Sequence, residues 1–524
     1  MQIRRSLLIG LLLLFGSHGL RAETLDRSLV IADPQTLREL DIREHQADSS
    51  ESRGVGLGRM MNVARPTAEP ISGAELFALP ALAPVKAALD NELERYTART
   101  RTSAPNTTAG GSEPPSTMQV FDRRALYSGA TRFVLAGVVN RMDRAFKQPG
   151  TCGEIRLIYR PVVKQAPAGP DLAAAPRLPM TLNLILKARG DLPDAGNVPC
   201  GELARRWLDA GEWRDTGADL AVRLLGKGGA LEFVKPNAID RIETNIQIGH
   251  APTGSSTDAR ADYLIKSFQY NAGLRTFEES PLENQIDYAR IVADARLKAA
   301  FQRWILDPKH ISELDRGIVI VPPEYLAMRA IASTPSALGG GIEAGTIFKQ
   351  GDVVEALAAA SRNGVTFENI RSFAGFERRL DDTTCSGCHE TRAIGGFHFP
   401  GIDWLSKAPP DGVALPASPH FIADQPRRRD ILQAVRDGKP PDYSRGFSAR
   451  PQARRSAALA GTTYMDGWGA TCALETSEID ASFAGWTCAE GLACRAMPQT
   501  TVGLGAGGGT KAAPRIGMCF LKDN

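Results

Sequence analysis

The stretch Glu154-Ile155-Arg156-Leu157-Ile158-Tyr159-Arg160 alternates, with Ile155, Leu157 and Tyr159 on one side. A period of two is the signature of a strand with one face against a core. Upstream, residues 133–139 form a continuous apolar run, and downstream 180–186 alternate again through Leu182 and Leu184. Two more strands are predicted at 241–248 and 263–270. Few helical patterns separate the first three strands, whereas a parallel sheet needs a crossover helix at every step. The predicted body, residues 118–350, is therefore a mostly antiparallel sheet with helices, an α+β unit.

Other features of this body are structural in character. Cys152 and Cys200 are the natural partners in an oxidising compartment, and the loop they close would contribute on the order of 4 kcal/mol by restricting the unfolded chain. A reactive thiol is the functional alternative. Residues 285–305 carry Ile291, Leu297, Phe301 and Trp304 at near-helical spacing, which predicts a helix docked on the sheet. The glycine-rich runs 226–229 and 338–341 lack the spacing of a phosphate-binding loop and read as turns. His250 and His310 are isolated and read as surface or capping residues. Ahead of the body, Val85, Leu89 and Leu93 recur four apart and predict a helix over 82–96, followed by a Ser/Pro/Gly/Thr linker over 102–117.

Chemistry enters at Cys385-Ser386-Gly387-Cys388-His389. Two thiols two residues apart with an imidazole directly after them have the spacing of covalent haem attachment. One helical turn brings both thiols to a porphyrin edge and aims the next side chain at the iron. A zinc half-site would need a second close pair, and the next cysteine is Cys472. A thioredoxin-like pair would want a strand before it and a helix after it, whereas a polar run, 378–384, precedes this one. A disulfide across so short a loop would be strained. In Cys385, Cys388 and His389 the chain resembles the c-type cytochromes. The resemblance, which covers about a hundred residues around the motif, implies one covalent haem c on the two cysteines, His389 as proximal iron ligand, and electron transfer.

Around the motif, residues 351–465 read as a mainly helical, cytochrome c-like segment. Val353, Val354, Leu357 and Ala358 form an apolar stripe, and Phe367, Phe373 and Phe376 pack either a porphyrin or an ordinary core, as do Phe397, Phe399 and Trp404. Histidine on both haem faces makes a low-potential carrier, methionine raises the potential, and an open face permits peroxide or oxygen chemistry. His398 is near in sequence, while His420 and Met465 have the slack to reach the far side; His420, set in turn residues 416–419, is the favoured distal ligand. Arg427, Arg428 and Arg429 either bind propionates or open a solvated helix.

At the far end, Cys472, Cys488, Cys494 and Cys519 lie in a glycine-rich stretch, 466–524, that reads as a small module with two disulfides in one of three pairings, zinc being the rival. At the start, Arg4 and Arg5, an apolar run over 7–15 too short to span a bilayer, and Leu20-Arg21-Ala22 have the layout of a secretory signal over 1–22. Its removal takes three arginines and no acids, which levels the 62 basic against 59 acidic residues. A neutral chain offers no broad field for nucleic acid and no polybasic membrane tether. With 23–117 as an N-terminal helical segment and linker, the organisation expected is a multidomain α+β protein of five parts. The function expected is an exported haem protein, periplasmic or extracellular in a bacterium, with no membrane span once mature and with a redox partner or small electron donor or acceptor. A haem enzyme such as a peroxidase or oxygenase, and a secreted binding protein with structural haem, are the alternatives.

Overall fold

Nine strands of the described residues form one sheet: β1 (Val30–Ile31), β2 (Gln119–Val120), β3 (Thr131–Arg141), β4 (Glu154–Val163), β5 (Met180–Lys187), β6 (Ile239–His250), β7 (Ala261–Asn271), β8 (Thr276–Ser280) and β9 (Ala330–Thr334). The computed structural model describes residues 25–42, 54–63, 69–102, 119–148, 150–164, 175–188, 198–250, 261–334, 347–389, 419–445, 471–474, 486–488, 491–496 and 516–522. Spatial order is β1-β3-β4-β5-β6-β7-β8, with β2 on β6 and β9 on β7, and every pairing is antiparallel. The five strands expected from alternation are all present, each longer at one or both ends than its pattern suggested.

Register explains the core. Leu157 lies opposite Leu184, Leu184 opposite Ile242, and Ile242 opposite Phe268, so one apolar row crosses four strands. Several helices cover this face. Ala83–Thr102 buries Val85, Leu89 and Leu93, Cys200–Glu212 buries Leu203 and Trp207, and Gly217–Leu225 buries Leu220 and Leu224. Registers shift at Leu135/Gly137, Ile185/Leu186 and Gln247/Gly249, and such bulges bend strands and deepen their twist, in keeping with a sheet curled into a half-barrel. At the last of these, Gly249 makes room for Tyr96: a Cβ there would stand 2.4 Å from the phenol oxygen, which donates to Asp262 Oδ2 at 2.7 Å.

Cys152 and Cys200 are bonded, tying the end of the loop before β4 to the first residue of the covering helix Cys200–Glu212. The pattern read as one helix over 285–305 is two, Tyr288–Ala293 and Ala295–Ile305. Asp294 divides them because its carboxylate accepts from the backbone N–H of Arg296 and Leu297 and so starts a new helix. Instead of joining the core against the sheet, Phe301 and Ile305 pack with Ile311, Leu314, Val353 and Phe376 in a second apolar cluster drawn from 286–326 and 347–380. The stripe expected on 353–358 is rotated on the helix Gln350–Arg362: Val353, Leu357 and Ala360 are buried, while Val354 and Ala358 are exposed. Phe367, Phe373 and Phe376 belong to this same core.

Near the C-terminus, β10 (Thr471–Ala473), β11 (Leu492–Ala496) and β12 (Ile516–Leu521) form a separate antiparallel sheet in the order β10-β12-β11, crosslinked by Cys472–Cys494 and Cys488–Cys519. Three of these sulfurs lie within 4.8 Å of one another, but disulfides take all four cysteines and leave no thiolate for zinc. Among the described residues no helix is long and apolar enough to cross a membrane.

Candidate functional site

Two short helices in series present the C-x-x-C-H stretch. Phe373–Asp382 starts at Ser372, whose hydroxyl accepts from the Gly375 N–H, and sends Phe376 and Leu380 into the second core. Its last turn carries Arg378, Arg379, Asp381 and Asp382, which read in sequence as part of a polar run. All four are buried. Arg378 donates to Asp382 at 2.7 Å, and Arg379 donates to the carbonyls of Leu314, Asp315 and Arg445 at 3.0, 2.8 and 2.6 Å. Burial pushes the Asp382 carboxyl up to about 6 against the pull of Arg378 and Arg379, and burial likewise lowers the Arg379 guanidinium to about 10.

Thr384 turns the chain from one helix into the next. Its hydroxyl donates to the Asp381 carbonyl at 2.7 Å and accepts from the Gly387 N–H at 2.9 Å, capping the one-turn helix Cys385–His389. Gly387 is needed for close approach, since a Cβ would stand 2.2 Å from the Asp381 carbonyl oxygen. The Ser386 N–H donates to Gln285 Oε1 at 2.9 Å. Cys385 is a thiol rather than half of a disulfide; it is half-buried against Ile265, Leu282 and Ala330, and its sulfur donates to the Glu283 carbonyl at 3.6 Å. Positions 385, 388 and 389 stand at i, i+3 and i+4 of a single turn, so they share one side of it. The side chains of Cys388 and His389 lie outside the described residues.

The motif helix therefore docks on the sheet, and it does so on the face opposite the main core. That face carries Ile158 on β4, Asn183 on β5, Glu243 and Asn245 on β6, and Ile265 on β7. A second helix, Pro419–Arg436, meets the same face from the β3 side, where Phe421 packs with Val30, Ala136, Val139 and Ile158. His420 is therefore a first-turn residue of a helix and not part of the loop expected from its proline-rich approach. The Pro419 ring suits a helix start, where its missing N–H leaves no bond unmade. The His420 side chain is outside the described residues, as are His398, Phe397, Phe399, Trp404 and Met465.

The three arginines 427–429 do not open a helix, and of the three only Arg429 keeps much of its side chain in solvent. They lie mid-helix, with Arg427 and Arg428 on Asp424 at 2.7 Å each, Arg427 also 3.3 Å from Asp143, and Arg429 on Asp26 at 2.9 Å. Burial works against the charged form of Asp143, yet Arg141 and Arg428 hold its carboxyl well below the usual range. His310 is a capping residue as expected, its Nδ1 2.7 Å from the Trp304 carbonyl.

A group that the linear reading passes over lies beside the motif. The carboxylate of Glu283, whose backbone carbonyl meets the Cys385 sulfur, pairs with both Arg144 and Lys147. Arg144 continues to Glu154 at 3.2 Å, and Glu154 takes Arg156 and Arg241 at 3.1 and 2.8 Å. Although burial raises it, Arg241, Arg144 and Arg156 hold the Glu154 carboxyl well below its usual value. The alternation of β4 is the available signal: it puts Glu154 and Arg156 on the face away from the core, and no linear pattern says that this face is covered too.

No protein-family model, curated protein or solved structure matches the chain.

Proposed function

We propose that the chain is an exported c-type haem protein in which Cys385 and Cys388 form the thioether links and His389 is the proximal ligand. The observation carrying this reading is the single helical turn that holds all three positions, in a chain whose other six cysteines are spent in three disulfides. The donor set suits the group: two thiols, one imidazole, and an apolar seat of Ile265, Leu282 and Ala330 under the first sulfur. Bound there, the haem would supply one-electron chemistry. The chain supplies rigidity. Thr384 and Gly387 fix the turn on Asp381, and Gln285 holds its backbone to the body. Three disulfides suit an oxidising compartment, the periplasm or the outside of a bacterial cell. His420 remains the distal candidate because its helix begins on the sheet face to which the motif helix docks.

The test is covalent pigment. Protein from a host that matures c-type haem should keep its colour in acid acetone, and Cys385→Ala together with Cys388→Ala should abolish it; a colourless or extractable product overturns the reading. A reduced spectrum unchanged by carbon monoxide supports a carrier with both axial positions filled, while prompt binding favours the enzyme alternative. His420→Ala should turn a low-spin spectrum high-spin if that residue is the distal ligand.

A further inference from the structure

Four sulfurs meet at the small C-terminal sheet. Cys472 on β10 lies opposite Gly517, and Cys494 on β11 lies opposite Cys519, with β12 in the middle. Positions 517 and 519 point to the same side of β12, so Cys472, Cys494 and Cys519 share one face. The Sγ atoms of Cys472, Cys488 and Cys494 lie within 4.8 Å of one another, and Cys519 is bonded to Cys488. Cys494 is joined not to its ladder neighbour but across the middle strand to Cys472, over Gly517, where a Cβ would stand 3.1 Å from the Cys494 sulfur.

A second pairing fits the same backbone. Directly opposite residues of an antiparallel pair have Cα atoms about 4.5–5.5 Å apart, inside the range that a disulfide spans, so Cys494 can bond Cys519 without moving a strand. That leaves Cys472 for Cys488, whose sulfurs are already within 4.8 Å. The loops this pairing closes are only a few residues shorter than the 22 and 31 of the observed one. Chain entropy therefore separates the two by no more than about threefold.

Exposure supplies the route between them. Each bond joins a half-buried residue, Cys488 or Cys494, to a buried one, Cys519 or Cys472. We propose that the module is a disulfide-exchange switch with two native pairings, opened by a low-molecular-weight thiol at Cys488. The incoming thiolate bonds Cys488 Sγ and breaks its bond to Cys519, which leaves as a thiolate. Cys519 then attacks Cys494 Sγ and breaks its bond to Cys472. The Cys472 thiolate attacks Cys488 in turn and releases the thiol. Two disulfides break and two form, no electrons are gained or lost, and the thiol is regenerated. A thiolate away from water is costly, which drives Cys519 and Cys472 onward rather than leaving them free.

Trp486 transmits the change. It stands two residues ahead of Cys488, its carbonyl accepts from the N–H of Ala473 beside Cys472, and its ring lies 5.8 Å from the Arg378 guanidinium. Exchange moves the anchor of Cys488 from β12 to β10. Trp486 shifts with it relative to Arg378, which pairs with Asp382 ahead of the motif. The switch does not depend on haem.

The test uses the full chain in a buffer of reduced and oxidised glutathione. After equilibration, N-ethylmaleimide blocks free thiols, cleavage after Glu475, Glu490 and Arg495 separates the four cysteines, and mass spectrometry identifies the pairs. Cys494–Cys519 and Cys472–Cys488 should both appear, within about tenfold of the observed pairs. The observed pairs alone, at every buffer ratio, overturn the proposal. Two trapped variants test geometry and consequence. Cys472→Ser with Cys488→Ser should oxidise to a Cys494–Cys519 bond, whereas Cys472→Ser with Cys494→Ser keeps Cys488–Cys519. The tryptophan emission lost on adding Trp486→Phe should differ between them. Free thiols at 494 and 519 in a folded chain overturn the second pairing, and identical Trp486 emission in the two variants overturns the switch. Should a trapped variant not fold, the wild-type map decides alone.

Discussion

Gly387 and Asp382 show how tightly single residues are constrained at the motif. Within C-x-x-C the middle positions read as free choices, yet only glycine at 387 lets the second helix sit on the Asp381 carbonyl. Gly387→Ala should cost about 1–3 kcal/mol in thermal melts and, on the proposed haem reading, lower the yield of covalent pigment. Ser386→Ala, which keeps the backbone bond to Gln285, should stay within about 1 kcal/mol in the same thermal melts. Asp382 tests burial of charge. Its carboxyl is pushed from 3.8 to about 6, so the folded state holds a proton that the unfolded state has released, and stability falls as pH rises between those values. Asp382→Asn removes that fall. Urea unfolding at pH 4 and pH 7 should show the variant gaining on the wild type, at the higher pH, by on the order of 1–3 kcal/mol. A difference that does not change with pH would refute the shift.

Elements differ in how they hold the sheet. Leu89, on the helix Ala83–Thr102, is fully buried, so Leu89→Ala should cost about 2–5 kcal/mol. Val354 is 47% exposed on the helix Gln350–Arg362, and Val354→Ala should be close to neutral in the same denaturation series. A cost as large as that of a buried residue at Val354 would refute the observed rotation of that helix in favour of the stripe expected by spacing. Cys152–Cys200 spans 48 residues and ties the helix Cys200–Glu212 to β4, so replacing both cysteines by alanine should cost about 4 kcal/mol, and reductant should reproduce the loss in the wild type.

Across the whole molecule, the main core and the second apolar core are separate clusters, and the motif lies between the second core and the opposite face of the sheet. One lies on the sheet, the other gathers residues 286–326 and 347–380, and Cys385 bridges toward the sheet through Ile265, Leu282 and Ala330. Phe301→Ala should remove about 3–5 kcal/mol and, in native-state hydrogen exchange, lose protection first in the second core while β4 and β5 stay protected. Uniform loss across both would show one cooperative unit. Trp486, whose carbonyl accepts from Ala473 N–H of the disulfide-linked sheet, sets its ring 5.8 Å from the Arg378 guanidinium just ahead of the motif.

Local pattern determined the five long strands of the main sheet, their antiparallel pairing, the Cys152–Cys200 bond and the motif, because each depends on a period, a short connection or a spacing within a few residues. Folding in three dimensions decided the rest. Asp294 split one helical pattern in two through a cap, Arg427 to Arg429 found acids from distant segments, and the pairing of Cys472 with Cys494 emerged from the order of three short strands. Above all, the half-burial of Arg156 and Arg241 on the second face belongs to tertiary structure. An alternating strand tells which residues avoid the core, but whether water or another part of the chain lies over them depends on segments hundreds of residues away.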